Sequence, residues 1–303
     1  MVWSTEAPAK VNLALRMCGV RADGYHLVRT LLQSIALADR LTLSTVPGPF
    51  AIECDAPGVP TDGRNLAWKG AAALAAFLGR PLEGLRLHIE KHVPAEAGLG
   101  GGSADAAAAA RLVAAAAGVS LEPAHLTDVI RPLGADVAYF AIGGTVLGEG
   151  IGDVLTPLAD EPAAAVVLVR PPFGVATRDA YAWYDGRARS GTEHDEMSGI
   201  PGQVAERAPD GYGNDLEPPV VANHPEVGRI IARLAGSGAR LAAMSGSGSA
   251  CFGLFDPSAD VSALLAGWPP GTRAWRTDLL SRTAYVERTQ CRKKGGREEG
   301  GKG

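Results

Sequence analysis

The stretch from His92 to Gly118 constrains the fold more than any other part of the sequence. The run just before it, 85–90, alternates apolar and polar side chains, a pattern typical of a strand with one buried face. Pro94 ends this strand, because proline has no N–H group to donate to a neighbouring strand. An alanine-rich segment then predicts a helix, with Ser103 as its N-cap and Gly118 as its C-terminal stop. We therefore expect a strand, a loop and a helix in direct succession.

The loop between this strand and this helix is rich in glycine, which adopts backbone angles that other residues avoid. Such a loop leaves backbone N–H groups free at the positive end of the helix dipole, where phosphate groups bind well. We interpret the loop as an anion site suited to phosphate. Its glycines are Gly98, Gly100, Gly101 and Gly102.

Other interpretations of this loop stay open at this point. It could be a tight turn from strand to helix that binds no ligand. A P-loop would need a lysine just before Ser103, and none is present. A dinucleotide-binding fingerprint would need a third glycine where Ser103 stands, although Glu122 lies near the distance expected for a ribose-binding acid. The dinucleotide interpretation is therefore weakened but not removed.

Length and charge limit the classes of function. The chain has 303 residues, enough for one large domain or two ordinary ones, and its net charge of −4 argues against a nucleic-acid surface. No apolar run is long enough to cross a bilayer, and the N-terminal residues do not resemble a secretory signal. The four cysteines stand singly, so we expect no zinc site and no disulfide framework, and a cytoplasmic location.

The remaining sequence predicts a mixture of strands and helices. Those that matter below are strands at 8–15, 28–37 and 41–45 and helices at 65–78 and 258–265. In the first strand, Lys10 and Asn12 should lie on one face, and Val11 and Leu13 on the other. A second glycine loop, with the sequence S-G-S-G-S, joins two strands near the C-terminus. Taken alone, this second loop is more readily a plain turn than a ligand site.

We expect three segments along the chain: an N-terminal domain over 1–160, a C-terminal domain over 161–286 and a disordered tail over 287–303. The run E-P-A at the start of the second segment suggests a joint between domains. The tail has no apolar periodicity, which is typical of a disordered terminus. Residues 187–212 are polar and rich in glycine, so we expect a long, exposed and mobile connection there.

Seven stretches that occur in order resemble one family of small-molecule kinases. They are P-A-K-V-N-L at 8–13, D-G-Y-H at 23–26, V-P-A-E-A-G-L-G-G-G-S-A-D-A-A at 93–107, L-G-A-D-V at 133–137, G-E-G-I-G-D at 148–153, N-D-L-E at 214–217 and M-S-G-S-G-S-A-C-F at 244–252. Together they look like the 4-diphosphocytidyl-2-C-methyl-D-erythritol kinases of non-mevalonate isoprenoid synthesis. That family belongs to the superfamily of galactokinase, homoserine kinase, mevalonate kinase and phosphomevalonate kinase. The glycine loops mark the superfamily, whereas the first two stretches point to this family.

The resemblance implies an α+β fold of two domains, with mixed and antiparallel sheets, helices packed against them and an active site in the cleft between the domains. The N-terminal domain would bind ATP, and the C-terminal domain would bind the substrate. The implied reaction is phosphoryl transfer from ATP to the 2-hydroxyl of a cytidine-diphosphate sugar alcohol, with Mg²⁺ inferred from ATP chemistry alone. We expect no nucleic-acid or membrane partner, and either a monomer or a homodimer.

The resemblance also implies roles for individual residues. Lys10 and Asp136 match the catalytic pair. The residues implied to bind ATP are Asn65, Leu66, Pro94, Gly98, Leu99, Gly100, Gly101, Gly102 and Ser103. Those implied to bind the sugar alcohol and its cytidine are Asn12, Tyr25, His26, Lys91 and Tyr181. The second glycine loop contributes Gly246, Ser247 and Gly248, and no dedicated metal ligands are expected.

These residue types suit phosphoryl transfer. Asp136, which we expect at the start of a short helix, could accept the proton of a sugar hydroxyl as the phosphoryl group is transferred. Lys10 beside it would keep that carboxylate ionised and neutralise charge on the transferred group. Tyr25 and Tyr181 could stack on a pyrimidine, and His26 could hydrogen-bond to its edge. Taken singly, each of these residues also has an ordinary structural interpretation, as a solvated strand, turn or core residue.

Three other functions stay open on the sequence alone. A homoserine or mevalonate kinase would act on a substrate without a base for the tyrosines to stack on. An NAD-dependent oxidoreductase would use the first glycine loop for its dinucleotide, and a non-catalytic nucleotide-binding protein would not need Lys10 and Asp136. Glu96 departs from the family pattern, because an acid beside a triphosphate is electrostatically unfavourable. We expect its side chain to point outward or to lie beyond the phosphates.

Overall fold

Two β-sheets, each covered by helices on one face, form the part of the chain that the computed structural model describes, residues 1–189 and 212–294. In chain order the strands and α-helices are β1 (Val2–Val20), β2 (His26–Thr45), β3 (Ala51–Cys54), α1 (Leu66–Phe77), β4 (Leu85–Glu90), α2 (Gly101–Ala116), α3 (Pro123–Ile130), α4 (Ala135–Ile142), β5 (Thr145–Glu149), β6 (Val154–Pro157), β7 (Ala165–Arg170), α5 (Thr177–Arg189), β8 (Gly213–Asn214), α6 (Glu217–Asn223), α7 (Pro225–Gly236), β9 (Leu241–Met244), β10 (Cys251–Phe255), β11 (Arg273–Asp278), α8 (Arg282–Thr289) and β12 (Arg292–Lys294). No described helix combines the length and the apolar character needed to span a bilayer.

The larger sheet is built on the hairpin of β1 and β2, which run antiparallel over almost their whole length. Its main strand order is β12-β1-β2-β4-β3, with β5 and β6 continuing from β2 and the short β8 lying parallel to β1. The smaller sheet is antiparallel, in the order β11-β7-β10-β9. Helices α1, α2 and α4 pack on the larger sheet, and α5, α6 and α7 pack on the smaller one.

The two sheets share a hydrophobic core. Val11 and Leu13 of β1 lie in one buried cluster with Val166 and Leu168 of β7 and Phe252 of β10. The predicted alternation of β1 is therefore present, because its apolar side chains face the smaller sheet. The expected domain boundary at 160–161 falls between β6 of the larger sheet and β7, the first strand of the smaller sheet, although β8 and β12 later return to the larger sheet; the boundary stays a prediction.

Helix α2 packs against α1 at very short range. A Cβ atom on Gly70 of α1 would lie 2.2 Å from the carbonyl oxygen of Ala106 in α2, so only glycine fits at this crossing. The alanine-rich face of α2 is buried almost completely. This packing fixes where the N-terminus of α2, and with it the first glycine loop, lies on the sheet.

Two predicted boundaries in the first half of the chain are wrong. Ser103 is not the N-cap of α2. The helix begins at Gly101, and Gly100 takes the N-cap position in the left-handed conformation. The predicted break between 28–37 and 41–45 is absent, and β2 is continuous. Asp39 stays within the strand because its buried Oδ1 accepts hydrogen bonds from the backbone N–H groups of His92 (2.6 Å) and Val93 (2.8 Å).

The predicted helix at 258–265 is also wrong, since only a short 3-10 turn, Ser262–Leu264, forms there. The Asp260 carboxylate accepts a hydrogen bond from the backbone N–H of Ser262, and Asp256 does the same for Ser258. Such local bonds from a side chain to the backbone compete with helix formation.

The C-terminal segment differs from the expected tail. Residues 287–289 complete α8, and β12 pairs with β1 in the larger sheet. Arg288 secures this segment, because its guanidinium donates to the Glu6 carboxylate and to the carbonyl oxygen of Ala36. The first part of the predicted tail is therefore structured, while residues 295–303 lie outside the described residues. So does most of the predicted mobile connection, from residue 190 to 211.

A buried group of three charged side chains lies beneath the first turn of α2. The Lys91 ammonium group contacts the Asp39 carboxylate and lies 2.7 Å from Oδ2 of Asp105. All three side chains are less than a tenth exposed, and Oδ1 of Asp105 has no hydrogen-bond partner among the described residues. Burial raises the pKa of the Asp105 carboxyl from its ordinary 3.8 to about 7, because the attraction of Lys91 only partly offsets the loss of solvation. One lysine cannot neutralise two carboxylates.

This group predicts a specific pH dependence of stability. Because the folded state holds the Asp105 proton more tightly than the unfolded state does, its contribution to stability is complete below about pH 4 and is lost as the pH rises towards 7. In Asp105→Asn, the free energy of unfolding relative to wild type should therefore increase between pH 4 and pH 7. One pKa unit corresponds to about 1.4 kcal/mol, so the change should be a few kcal/mol at most.

Urea unfolding at several pH values measures this difference. The matched control is Asp128→Asn, because Asp128 is an exposed carboxylate on α3 with only a long contact to Arg131. The free energy of unfolding of this control should differ from that of wild type by the same amount at every pH between 4 and 7. Parallel curves for Asp105→Asn and wild type would contradict a raised pKa at Asp105.

Candidate active site

A lysine from β1 and an aspartate from α4 form an ion pair at the centre of the site. Nζ of Lys10 lies 3.3 Å from Oδ2 of Asp136, and the lysine side chain is 3% exposed while the aspartate side chain is 45% exposed. Asp136 lies in the first turn of a short helix, as expected, where the helix dipole favours a negative charge. The lysine is therefore fixed within the protein, while its acidic partner remains accessible to a ligand.

Asn12 holds Lys10 in this position. Its Oδ1 accepts a hydrogen bond of 2.6 Å from Nζ of Lys10, and its Nδ2 donates to Oγ1 of Thr30 at 2.8 Å. Thr30 in turn donates to the carbonyl oxygen of Ala14. The amide of Asn12 is thus oriented by the adjacent strand, and it presents its oxygen to the ammonium group.

The first glycine loop runs directly past this lysine. The backbone N–H of Lys10 donates to the carbonyl oxygen of Leu99 at 3.0 Å. A Cβ atom on Gly100 would lie 3.2 Å from Cε of Lys10 and 2.8 Å from the Phe140 ring, and Gly100 has a φ of 70°. Neither the space nor the backbone conformation suits another residue here.

The loop leads into a helix end that can bind an anion. The N–H groups of Gly101, Gly102 and Ser103 belong to the first turn of α2, where a helix provides no backbone acceptors. The helix dipole adds positive potential at the same place. Pro94 is half-buried where the loop begins. Glu96 is exposed, with Oε2 3.2 Å from where a Cβ atom on Gly174 would be, and its orientation relative to bound phosphates stays a prediction.

The second glycine loop, residues 245–248, lies against the first. Oγ of Ser245 donates to the carbonyl oxygen of Gly98 at 2.9 Å, and a Cβ atom on Gly98 would lie 2.1 Å from the carbonyl oxygen of Ser245. A Cβ atom on Gly246 would lie 3.5 Å from Nζ of Lys10. Ser247 hydrogen-bonds to Thr177 at the start of α5. The structure thus places both glycine loops beside Lys10, which the sequence of the second loop alone did not indicate.

Of Asn65 and Leu66, which the family resemblance implies bind ATP, Leu66 lies next to the first glycine loop. A Cβ atom on Gly102 would lie 3.7 Å from Cδ1 of Leu66, so this leucine borders the start of α2. The side chain of Asn65 caps α1 by accepting from the N–H of Ala67 at 2.8 Å, and it donates to the carbonyl oxygen of Pro60. Asn65 therefore has a structural role at this helix end.

Two of the three residues expected at the cytidine are in contact with each other. The rings of His26 and Tyr181 lie 4.9 Å apart, and Nε2 of His26 is 2.8 Å from Oδ1 of Asp185. Burial raises the pKa of the Tyr181 phenol to about 12, and the negative charge of Asp136 adds to the shift. Tyr25 is 60% exposed at the hairpin turn, with the guanidinium of Arg21 5.6 Å from its ring centre.

Lys91 stands apart from this arrangement. Its ammonium group lies between the Asp39 and Asp105 carboxylates, 3.5 Å from where a Cβ atom on Gly101 would be. Lys91 therefore stabilises the N-terminal end of α2. Its contact with substrate stays a prediction, because two of its three N–H donors are directed at these carboxylates.

Sequence reasoning missed several residues of the site. Asp185 lies one helical turn after Tyr181 on α5, and that spacing could have indicated a shared face with His26. Asp105 stands within the quoted glycine-loop stretch, but its pairing with Lys91 depends on how the strand and the helix cross. Thr30 and Asp39 lie in β2, and nothing local in the sequence marks their roles.

Comparisons with known proteins identify related kinases. Residues 65–144 match the family described as GHMP kinases N terminal domain, and residues 200–270 match the family described as GHMP kinases C terminal. The 4-diphosphocytidyl-2-C-methyl-D-erythritol kinase of Moorella thermoacetica is 40% identical over 271 residues, covering 84% of this chain and 90% of the relative. The protein of the same name from Geobacter sp. (strain M21) is 38% identical over 281 residues, covering 89% and 95%.

Solved structures confirm the predicted fold. A crystal structure of 4-(cytidine 5'-diphospho)-2C-methyl-D-erythritol kinase superposes with a TM-score of 0.74 and 34% identity, covering 91% of this chain and 98% of that one. A crystal structure of L. major mevalonate kinase in complex with R-mevalonate gives a TM-score of 0.67 at 19% identity, which speaks for the fold alone. The chain has the two-domain α+β fold of the GHMP kinases, and it belongs to the 4-diphosphocytidyl-2-C-methyl-D-erythritol kinase family.

Proposed function

We propose that this protein transfers the γ-phosphoryl group of ATP to the 2-hydroxyl of 4-diphosphocytidyl-2-C-methyl-D-erythritol, in non-mevalonate isoprenoid precursor synthesis. Relatives that align with most of the chain are named for a kinase of this compound. The observation that carries the proposal is the ion pair of Lys10 and Asp136 beside both glycine loops. A kinase needs a phosphate-binding backbone next to a proton acceptor, and this junction offers both.

Asp136 would act as the general base. The acceptor oxygen attacks the γ-phosphorus, the bond from that phosphorus to the β-phosphate oxygen breaks, and the hydroxyl proton passes to the Asp136 carboxylate. Lys10 keeps a positive charge beside this carboxylate and beside the transferred group. Asn12 and the first turn of α4 position these two groups, which limits the rearrangement that the reaction needs.

The phosphates of ATP would lie at the start of α2. The first-turn N–H groups of Gly101, Gly102 and Ser103 would donate to phosphate oxygens, with Leu66 beside the adenine. Magnesium would arrive bound to the nucleotide, where it neutralises phosphate charge. Among the described residues, no three side chains of histidine, cysteine, aspartate or glutamate are grouped to hold a metal ion.

The cytidine would bind at the aromatic pair. Tyr181 offers a ring face beside His26, and Asp185 orients the histidine ring. The exposed ring of Tyr25, next in the chain to His26, is available to cover the other face of the base. A homoserine or mevalonate kinase has no base to bind, so this aromatic group favours the cytidine substrate over the substrates of those kinases.

We also infer a cytoplasmic location. The four cysteines, Cys18, Cys54, Cys251 and Cys291, are all unpaired thiols in the structure. Free thiols persist in a reducing compartment, whereas small secreted domains tend to pair them. ATP, the proposed phosphoryl donor, is also a cytoplasmic metabolite.

A comparison of acceptors tests the proposed activity. With ATP and Mg²⁺, we expect ADP release with the cytidine-diphosphate sugar alcohol and a kcat/KM at least about 100-fold above that for homoserine or mevalonate, because those acceptors leave the base site unfilled. Phosphorus NMR should show the new phosphate on the 2-hydroxyl. Turnover of homoserine or mevalonate without turnover of the cytidine compound would reject the proposal. So would tight NADH binding in a fluorescence titration with no binding of ATP.

Replacement of the proposed base tests the mechanism. Asp136→Asn preserves shape but cannot accept a proton, so kcat should fall by about 100-fold to 10,000-fold. The dissociation constant of ATP should change by no more than about threefold, since the loop N–H groups are untouched.

Steady-state kinetics and calorimetric titration of an ATP analogue measure the two quantities. Asp128→Asn, an exposed aspartate on α3, is the matched control and should keep wild-type kinetics. A wild-type kcat in Asp136→Asn would remove Asp136 from the role of base.

A further inference from the structure

The polar side chains of the N-D-L-E stretch at 214–217 hydrogen-bond to two neighbouring segments, β1 and the end of β9. Asp215 accepts hydrogen bonds from the Arg16 guanidinium and from the backbone N–H of Met17, both at 2.8 Å, which ties the stretch to β1. Glu217 accepts from the backbone N–H of Met244 at 2.9 Å, at the end of β9. Asn214, which is 6% exposed, lies between these two anchors.

The Asn214 amide holds the second glycine loop by two carbonyl groups at once. Its Nδ2 donates to the carbonyl oxygen of Met244 at 2.9 Å and to that of Gly246 at 2.7 Å, so one nitrogen spans Ser245. Its Oδ1 accepts from the N–H of Leu216 at 3.0 Å. A primary amide provides two N–H donors on its nitrogen and an acceptor on its oxygen. Aspartate has the same shape, but as a carboxylate it has no donor to offer.

Ser245 and Gly246 lie beside Asn12 and Lys10. Ser245 bonds to the carbonyl oxygen of Gly98 in the first glycine loop and accepts from the N–H of Asn12. A Cβ atom on Gly246 would lie 3.2 Å from Oδ1 of Asn12 and 3.5 Å from Nζ of Lys10. A shift of the Ser245–Gly246 peptide would therefore disturb the phosphate loop and the lysine together.

We propose that Asn214 is a positioning residue for ATP, which acts through the second glycine loop on the first glycine loop and on Lys10. It touches neither the nucleotide nor the reacting atoms. The inference rests on the proposed function only in taking ATP as the nucleotide, and it holds whatever the acceptor is. Because the aromatic pair of His26 and Tyr181 makes no described contact with Asn214, binding of the cytidine compound should be independent of it.

The test compares two variants of Asn214 with a matched asparagine. Asn214→Asp places a carboxylate against two carbonyl oxygens, and Asn214→Ala leaves both carbonyls without a donor. The control is Asn223→Asp on the nearby α6, because Asn223 is exposed and donates only to the carbonyl oxygen of Pro219. The readouts are the dissociation constant of an ATP analogue, the KM values for ATP and for the acceptor, and kcat, all on protein shown to be folded by circular dichroism.

At pH 8 we expect both Asn214 variants to bind the ATP analogue about tenfold more weakly and to raise KM for ATP equally, with KM for the acceptor within about twofold of wild type. At pH 5.5 the Asp variant should recover part of its affinity relative to wild type, because a protonated carboxyl regains one donor. The Ala variant should show no such recovery, and Asn223→Asp should match wild type at both values.

A merely structural role for Asn214 would lower the active fraction and leave the KM for ATP unchanged, and that result would overturn the proposal. So would wild-type affinity for the ATP analogue in both variants. If Asn214→Asp does not fold, Asn214→Ser decides, since its hydroxyl can donate to one carbonyl and should weaken ATP binding about threefold; unchanged affinity there would equally overturn the proposal. A wild-type protein that binds ATP but leaves the cytidine compound unphosphorylated would reject the proposed acceptor without affecting this inference.

Discussion

The buried ammonium group of Lys10 is the constraint on which the rest of the site depends. An unpaired charge in a protein interior costs several kcal/mol or more, so the fold must supply partners for it. Asn12 and Asp136 are those partners, at 2.6 Å and 3.3 Å from the nitrogen. The two glycine loops approach the same side chain: a Cβ atom on Gly100 would lie 3.2 Å from Cε of Lys10, and one on Gly246 would lie 3.5 Å from its Nζ. The backbone that we propose to bind phosphate therefore lies beside a fixed positive charge.

A second lysine, Lys91, shows how the exposure of the paired carboxylates distinguishes a structural ion pair from one that a ligand can reach. Lys91 also pairs with acids, but Asp39 and Asp105 are both buried, so no ligand can reach their carboxylates without a rearrangement. Asp136 differs because nearly half of its side chain is exposed. The first arrangement holds a strand against the start of α2, and the second leaves a carboxylate ready to accept a proton. Both arrangements involve lysine and aspartate, and they differ in the number of carboxylates and in how far these are exposed.

Much of the fold and of the site could be predicted from the sequence, because the signals were local. The glycine loop, the alternation along β1 and the position of Asp136 at a helix start each depend on neighbours in the chain, and the structure contains all three. The resemblance to one kinase family supplied the pairing of Lys10 with Asp136, which spacing alone could not have given.

What could not be predicted depends on contacts between distant segments. Asp39 interrupts an apolar pattern and so suggested a break in β2, yet Lys91 and two backbone N–H groups more than fifty residues away stabilise it within the strand. Likewise, the S-G-S-G-S loop resembles a turn until the fold brings it against Gly98 and Lys10. Residues 292–294 form a strand by pairing with β1, which lies at the other end of the chain.

A crystal structure with a non-hydrolysable ATP analogue and the cytidine-diphosphate sugar alcohol bound together would test the central claim most directly. We expect the γ-phosphate to contact Nζ of Lys10 at the start of α2, with the acceptor 2-hydroxyl within about 2.6–3.2 Å of an Asp136 carboxylate oxygen. A γ-phosphate held away from Lys10, or an acceptor hydroxyl that no carboxylate oxygen of Asp136 can reach, would contradict it.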